Sequence, residues 1–455
     1  MDVDEEAVSR EDEALLRSGA RPAPSPPHAG ARYFLIISNP CAGHGSAARV
    51  LDEVVSPELG AISEALGTAV KVRVTREGGD AEAWVREAWL REELSGVMVL
   101  GGDGTLREVI HGLCDAGRGP PRDSCPISVV PVGTDNAMCK ALGVPTAQAA
   151  VAALLAQSTK YVDVMRMRPP ADVANFFEDE SVYSTCGIGW GVPGAIAATA
   201  EPLRGHLCLG CCRYALCGCR SICLNTPALR CKVLLVPSKV EEELLEKGAC
   251  TASTRGGGVP CDVCAEQETF HAAMQWLDDA FPSEFAGTSA DEAPPPLRLY
   301  DDADGAGPSG EEGIGEGWVG YEGKFMVVGI VCADTESGVH CHLSDGTIDV
   351  QLVRAPRTCR CGILDTACSI GCRLARAALF CASTSLRESG GSHYVYRKVT
   401  HVQVRPDECV EEHPFNVDGE IWRGWRPRPG ARAAPRGARG ALDISVLPSF
   451  LTFFS

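Results

Sequence analysis

Basic residues are scarce in this chain, long apolar runs are absent and aromatic residues are few. Lys and Arg number 42 against 60 Asp and Glu, giving a formal net charge of -18. Such a surface repels phosphate backbones, so no nucleic acid is expected as a partner. The longest apolar runs, such as 149–156, fall well short of the roughly 20 residues that cross a bilayer, so no transmembrane segment is expected. The opening MDVDEEAVSR EDEALLRSGA has neither a basic start nor an apolar stretch, unlike a secretory signal. The expected location is therefore cytoplasmic. Its 23 cysteines are read as mostly buried, reduced thiols. Two nucleotide-binding signatures are missing as well: the P-loop with its Lys and Ser/Thr, and the G-x-G-x-x-G fingerprint.

What is present suffices for a sizeable core. The 455 residues exceed the usual size of one compact domain, and 45% are hydrophobic. Residues 1–30 are acidic, then Pro-rich, and are read as a disordered tail. From residue 31 to 160, apolar strands alternate with helical patterns. Strands are expected at 33–38, 70–75, 97–100 and 127–130, with a helix over 80–94 and others after each Gly-bearing turn. This rhythm predicts an α/β domain with a parallel sheet. Between 161 and 422 the pattern becomes a run of strands, at 162–167, 182–186, 229–236, 325–331, 347–353 and 394–404. That predicts a mainly antiparallel β-sandwich domain, interrupted by a flexible acidic insert at 237–317. Residues 423–455 read as a basic, Pro/Gly-rich tail with an apolar end.

Three polar turns fall at strand ends, where ligands of parallel sheets bind. The strongest is Gly101-Gly102-Asp103-Gly104-Thr105 after the 97–100 strand. Its glycines let backbone N–H groups approach an anion, and the next helix aims its positive end there. An Asp in such a place repels phosphate unless it holds a metal or accepts a proton. The plain alternative is an Asp-Gly turn with Thr105 as helix cap. Asn39-Pro40-Cys41-Ala42-Gly43-His44-Gly45 offers an amide and two flexible backbone positions; His44 is either a phosphate contact or a solvent-exposed turn residue. In Pro131-Val132-Gly133-Thr134-Asp135-Asn136, Thr134 or Asp135 can simply cap the following helix.

Together these turns resemble the nucleotide-binding motifs of lipid kinases with a diacylglycerol-kinase-type catalytic domain. Gly187-Ile188-Gly189-Trp190-Gly191, Glu201 with Arg204, and Leu209-Gly210 with Arg213-Tyr214 are similar to a segment of sphingosine and ceramide kinases. Asp345-Gly346-Thr347 with Asp349, and Asp418-Gly419-Glu420, resemble their C-terminal motifs. His111 and the Cys261/Cys264 pair lean towards ceramide kinases, Asn136 towards sphingosine kinases.

The resemblance implies ATP and Mg²⁺ as cofactors and a lipid substrate met by peripheral membrane association. It makes Asp103 the general base for a primary hydroxyl of ceramide or sphingosine. ATP would be held by Asn39, Gly43, Gly45, Thr75, Gly101, Gly102, Gly104, Thr105, Gly133, Thr134 and Asn136. Arg204 and Arg213 would neutralise the phosphoryl group, and Glu420 with Asp418 would approach the nucleotide or its metal. Where these families place an Asp against the lipid head group, this chain has Ala195. A diacylglycerol kinase, or a catalytically weak lipid-binding protein of the same fold, is the alternative. No residues are assigned as protein-only metal ligands. The cysteines at 208–231 and at 261/264 leave zinc and palmitoylation open beside the buried-thiol reading.

Overall fold

The computed structural model describes residues 32–114, 121–134, 136–168, 173–174, 181–203, 212–223, 229–238, 300–301, 318–333, 342–354, 394–406, 414–422, 426–427 and 442–455. The 1–30 segment and nearly all of the 237–317 insert, with Cys261 and Cys264, lie outside them.

In the first half, β1 (Tyr33–Ser38), β2 (Ala69–Val74), β3 (Leu94–Gly101) and β4 (Ile127–Pro131) form a parallel sheet in the order β4-β3-β1-β2. All six residues of β1 are buried, as an interior strand covered on both faces requires. β2 is the edge, and its Val72 and Val74 stay exposed. The helices are α1 (Ser46–Val50), α2 (Leu59–Leu66), α3 (Asp80–Leu90), α4 (Asp103–Cys114), α5 (Ala137–Leu142) and α6 (Ala147–Leu155). Two of them show why they start where they do. Thr146 caps α6 by accepting from the Ala149 N–H at 3.1 Å. Glu108 of α4 receives backbone N–H groups from Gly79 and Ala81 at the start of α3; burial nonetheless raises its pKa.

The second half contains β5 (Thr159–Arg168), β6 (Val182–Ser184), β7 (Gly187–Gly191), α7 (Val192–Ala200), α8 (Cys212–Cys223), β8 (Leu229–Pro237), β9 (Val319–Val331), β10 (Ile348–Arg354), β11 (Tyr394–Pro406), β12 (Phe415–Val417), β13 (Glu420–Trp422) and β14 (Leu442–Phe454). β9 pairs with β8 through its first part and with β10 through its second; β11 does the same in reverse. The four strands thus close a ring around a core that includes Phe325, Val350, Val402 and Val404. Gly187 to Gly191 forms strand β7. A Cβ on Gly189 would lie 2.6 Å from Pro193 Cβ, so the glycine is there to seat α7.

Two boundaries differ from the sequence expectation. Residues 442–454 of the expected tail form β14, which pairs with β11 and β5, and through Phe453 opposite Ile127 with β4. Its apolar end supplies the first core with Leu451, Phe453 and Phe454. Residue 160 is not a clean break either: Val162 and Val164 of β5 belong to the first core, Met165 and Met167 to the second. Among the described residues, all but one short pair of strands join a single hydrogen-bonded network.

Candidate active site

The three Gly-bearing turns meet at the carboxyl edge of the parallel sheet, in backbone contact with one another. A Cβ on Gly43, whose φ is +53°, would stand 1.7 Å from the Val132 carbonyl oxygen. One on Gly133 would stand 2.4 Å from Gly102 Cα. Only glycine permits these approaches. Side chains then lock the turns: Asn39 Nδ2 donates to Thr105 Oγ1 at 2.9 Å, and Asn39 Oδ1 accepts from the Cys41 N–H at 3.0 Å. Asn136, itself left-handed with φ 56°, accepts from the Gly133 N–H at 2.8 Å and donates to the Gly133 carbonyl at 3.0 Å. Gly101 lies against Thr105, and Gly45 adopts φ +85° near Pro40. Thr75 is buried just beyond β2, its N–H donating to the Ser38 carbonyl at 2.9 Å. Thr134 is exposed.

Two carboxylates flank this floor. Asp103 opens α4, and its oxygens face the Ala137 and Met138 N–H groups at 3.3 and 3.5 Å. Glu420 arrives from β13: its Oε1 would lie 2.7 Å from a Cβ on Gly104. A glycine-lined turn at a helix start, with carboxylates on either side, can hold an anion and move a proton beside it.

The remaining expected site residues sort differently. Asp418 does not approach the turn with its carboxylate. That carboxylate is buried and accepts from Ser184 Oγ (2.7 Å) and from the N–H groups of Thr185, Cys186 and Gly187 (3.0, 3.1 and 2.9 Å). Burial raises its pKa against the opposing pull of these four donors. Asp418 therefore ties the β12–β13 hairpin to the segment between β6 and β7, and this positions Glu420. Arg213 is buried on α8 and donates to Tyr214 Oη at 3.1 Å. Ala195 sits on α7, which packs against α8. Arg204 lies outside the described residues.

Sequence reasoning gave no role to two groups near this junction. His111 of α4 accepts the Tyr183 N–H of β6 at 3.1 Å and is buried, which lowers its pKa to about 3 and keeps it neutral. In the second half Lys398, fully buried, bridges Asp345 (3.0 Å) and Asp349 (2.9 Å). Beside it Asp163 accepts from the Gly346 and Ser449 N–H groups, both at 2.6 Å, and burial pushes its pKa up to about 6. No local spacing signals either arrangement, since each joins residues far apart in sequence.

Residues 33–167 match the family described as the diacylglycerol kinase catalytic domain. A Pseudomonas aeruginosa protein named "Probable lipid kinase YegS-like" is 40% identical over 113 residues, covering 25% of this chain and 35% of that protein. "Sphingosine kinase 1" of Arabidopsis thaliana is 26% identical over 233 residues, covering 50% of this chain and 44% of that protein. The chain thus spans about a third to under half of these relatives. A crystal structure of a candidate diacylglycerol kinase from Bacillus anthracis str. Sterne aligns over 93% of this chain and 94% of its own, with a TM-score of 0.51 and 16% identity, a likeness of fold alone. These matches support a kinase enzyme, and over residues 33–167 the chain matches the diacylglycerol kinase catalytic domain family, with lipid kinases among its relatives.

Proposed function

We propose that this protein is an ATP-dependent lipid kinase that phosphorylates a primary hydroxyl of a neutral lipid, with ceramide the leading sphingoid candidate. The observation that carries the reading is the convergence of Asp103 and Glu420 on one glycine-built turn. Asp103 takes the hydroxyl proton as the oxygen attacks the γ-phosphorus; the bond to the β-phosphate oxygen breaks and ADP leaves. The Gly101–Thr105 turn and the neighbouring turns hold the phosphates by backbone N–H groups. Mg²⁺ is commonly held by one or two carboxylates together with substrate phosphates, and the donor set fits that pattern. Among the described residues no group of three or more His, Cys, Asp and Glu forms a protein-only cage. Glu420 would hold the ion together with the substrate phosphates, and the ion would supply neutralisation of charge on the transferring group, leaving Asp103 to take the proton.

Ala195 supports a neutral acceptor, because an ammonium drawn into a partly buried site without a countercharge is costly. Ala195→Asp is expected to shift kcat/KM towards sphingosine. A second reading gives the proton to Glu420, since the Ala137 and Met138 N–H groups already occupy the Asp103 carboxylate. Steady-state kinetics separate the two. Asp103→Asn should retain nucleotide binding and lose about 10²- to 10⁴-fold in kcat. Unchanged kcat in Asp103→Asn, with collapse in Glu420→Gln, would move the base to Glu420.

A further inference from the structure

Position 107 lies one turn after Asp103 on α4. At 3.6 residues per turn it falls between positions 103 and 104 around the axis, and helical side chains lean back over the preceding turn. Position 107 therefore shares a side of α4 with Asp103 and with Gly104, against which Glu420 rests. The same side of α4 carries His111, which bonds Tyr183 of β6, so this face looks towards the second half of the molecule. Arg107 Nε is buried and has no hydrogen-bond partner among the described residues. Its positive charge opposes the effect of burial at Glu108, whose pKa is raised, and adds to the effect of burial at His111, whose pKa is lowered. A guanidinium N–H held away from water without an acceptor is costly, and a ligand oxygen would relieve that cost.

An acceptor that brings its hydroxyl to Asp103 comes beside this side of α4. There it meets a cation at 107, while position 195 offers no carboxylate. We propose that Arg107 is a specificity-determining residue whose guanidinium binds an oxygen of the acceptor's head group beside the reacting hydroxyl. Acceptors with a carbonyl or phosphate oxygen at that point are favoured, and those presenting an ammonium are disfavoured. This rests on the lipid-kinase reading and narrows the acceptor class.

The test compares wild type, Arg107→Gln and Arg107→Lys on diacylglycerol, ceramide and sphingosine in the same detergent micelles. It measures kcat/KM for each lipid, KM for ATP, and lipid affinity by equilibrium binding. Arg107→Gln should reduce the preference for the neutral lipids over sphingosine about tenfold or more. Arg107→Lys, which keeps the charge, should retain most of that preference, and KM for ATP should change less than about twofold. An unchanged preference in Arg107→Gln overturns the assignment, as does a raised KM for ATP with the preference intact, since that places Arg107 on the donor. If wild type phosphorylates none of the three lipids, the lipid-kinase reading fails. The binding preferences then decide Arg107 separately: a preference lost in Arg107→Gln supports it, and one unmoved overturns it.

Discussion

In the parallel half of the molecule, distant segments approach because side chains are missing. Gly43 meets the Val132 carbonyl and Gly133 meets Gly102, with no room for a methyl group at either. In the antiparallel half, distant segments approach because buried charges draw them together. Asp418 gathers the 184–187 segment, Lys398 joins Asp345 to Asp349, and Asp163 holds the Gly346 and Ser449 amides. The first device is damaged by adding atoms and leaves the turn's backbone free to meet a phosphate. The second is damaged by removing a charge and responds to pH. Glu420 depends on both, carried by a hairpin that Asp418 fixes and seated where Gly104 leaves space.

The largest effect should come from breaking the charged half. Lys398→Met leaves two buried carboxylates without their cation and should cost about 4 kcal/mol, read from denaturant unfolding. A loss below about 1 kcal/mol would mean the pair is not the brace described. Asp418→Ala leaves three buried N–H groups and the Ser184 hydroxyl without their acceptor. It should destabilise by about 3 kcal/mol and lower kcat by displacing Glu420. Stability lost with kcat intact would cut the proposed link from hairpin to site.

The halves should also differ in the sign of their pH response. Asp163 titrates near pH 6 when folded and near 4 when unfolded, so across that window the native state binds more protons. Its contribution therefore falls as pH rises, by about 2 to 3 kcal/mol in all. His111, lowered to about 3, binds fewer protons than its unfolded form between about pH 3 and 6.5, so its contribution is lost as pH falls. Asp163→Asn should then steepen the acid loss of Tm, and His111→Asn should flatten it. Identical pH profiles for wild type and both variants would count against the two burials.

The smallest change in atoms tests the glycine half. Gly133→Ala adds one methyl group, whose carbon would fall 2.4 Å from Gly102 Cα. It should raise KM for ATP about tenfold, a cost of about 1.4 kcal/mol, by parting the two turns. A normal KM would show that the turns can separate without harm.

The glycine half was largely legible in the sequence. Apolar strands running straight into Asn39-Pro40, Gly101-Gly102-Asp103-Gly104-Thr105 and Pro131-Val132-Gly133 mark both the sheet and its ligand edge, because strand, turn and helix signals are local. The charged half was not. Asp418 looked like a site carboxylate beside Glu420, yet the left-handed turn at Asp418 and Gly419 separates their fates: one faces the amides of 185–187, the other Gly104. The partners of Asp163 lie 183 and 286 residues away, beyond any spacing rule. β14 was hidden because Pro448 interrupts its pattern, and its pairing with β5 shifts register between Leu447 and Leu451.

The most direct test of the account is transfer of labelled γ-phosphate from ATP to a panel of ceramide, diacylglycerol and sphingosine by the full chain with Mg²⁺. The account predicts label on a neutral lipid's primary hydroxyl, weaker label on sphingosine, and neither with Asp103→Asn. No labelled lipid from a folded protein that binds ATP would contradict it.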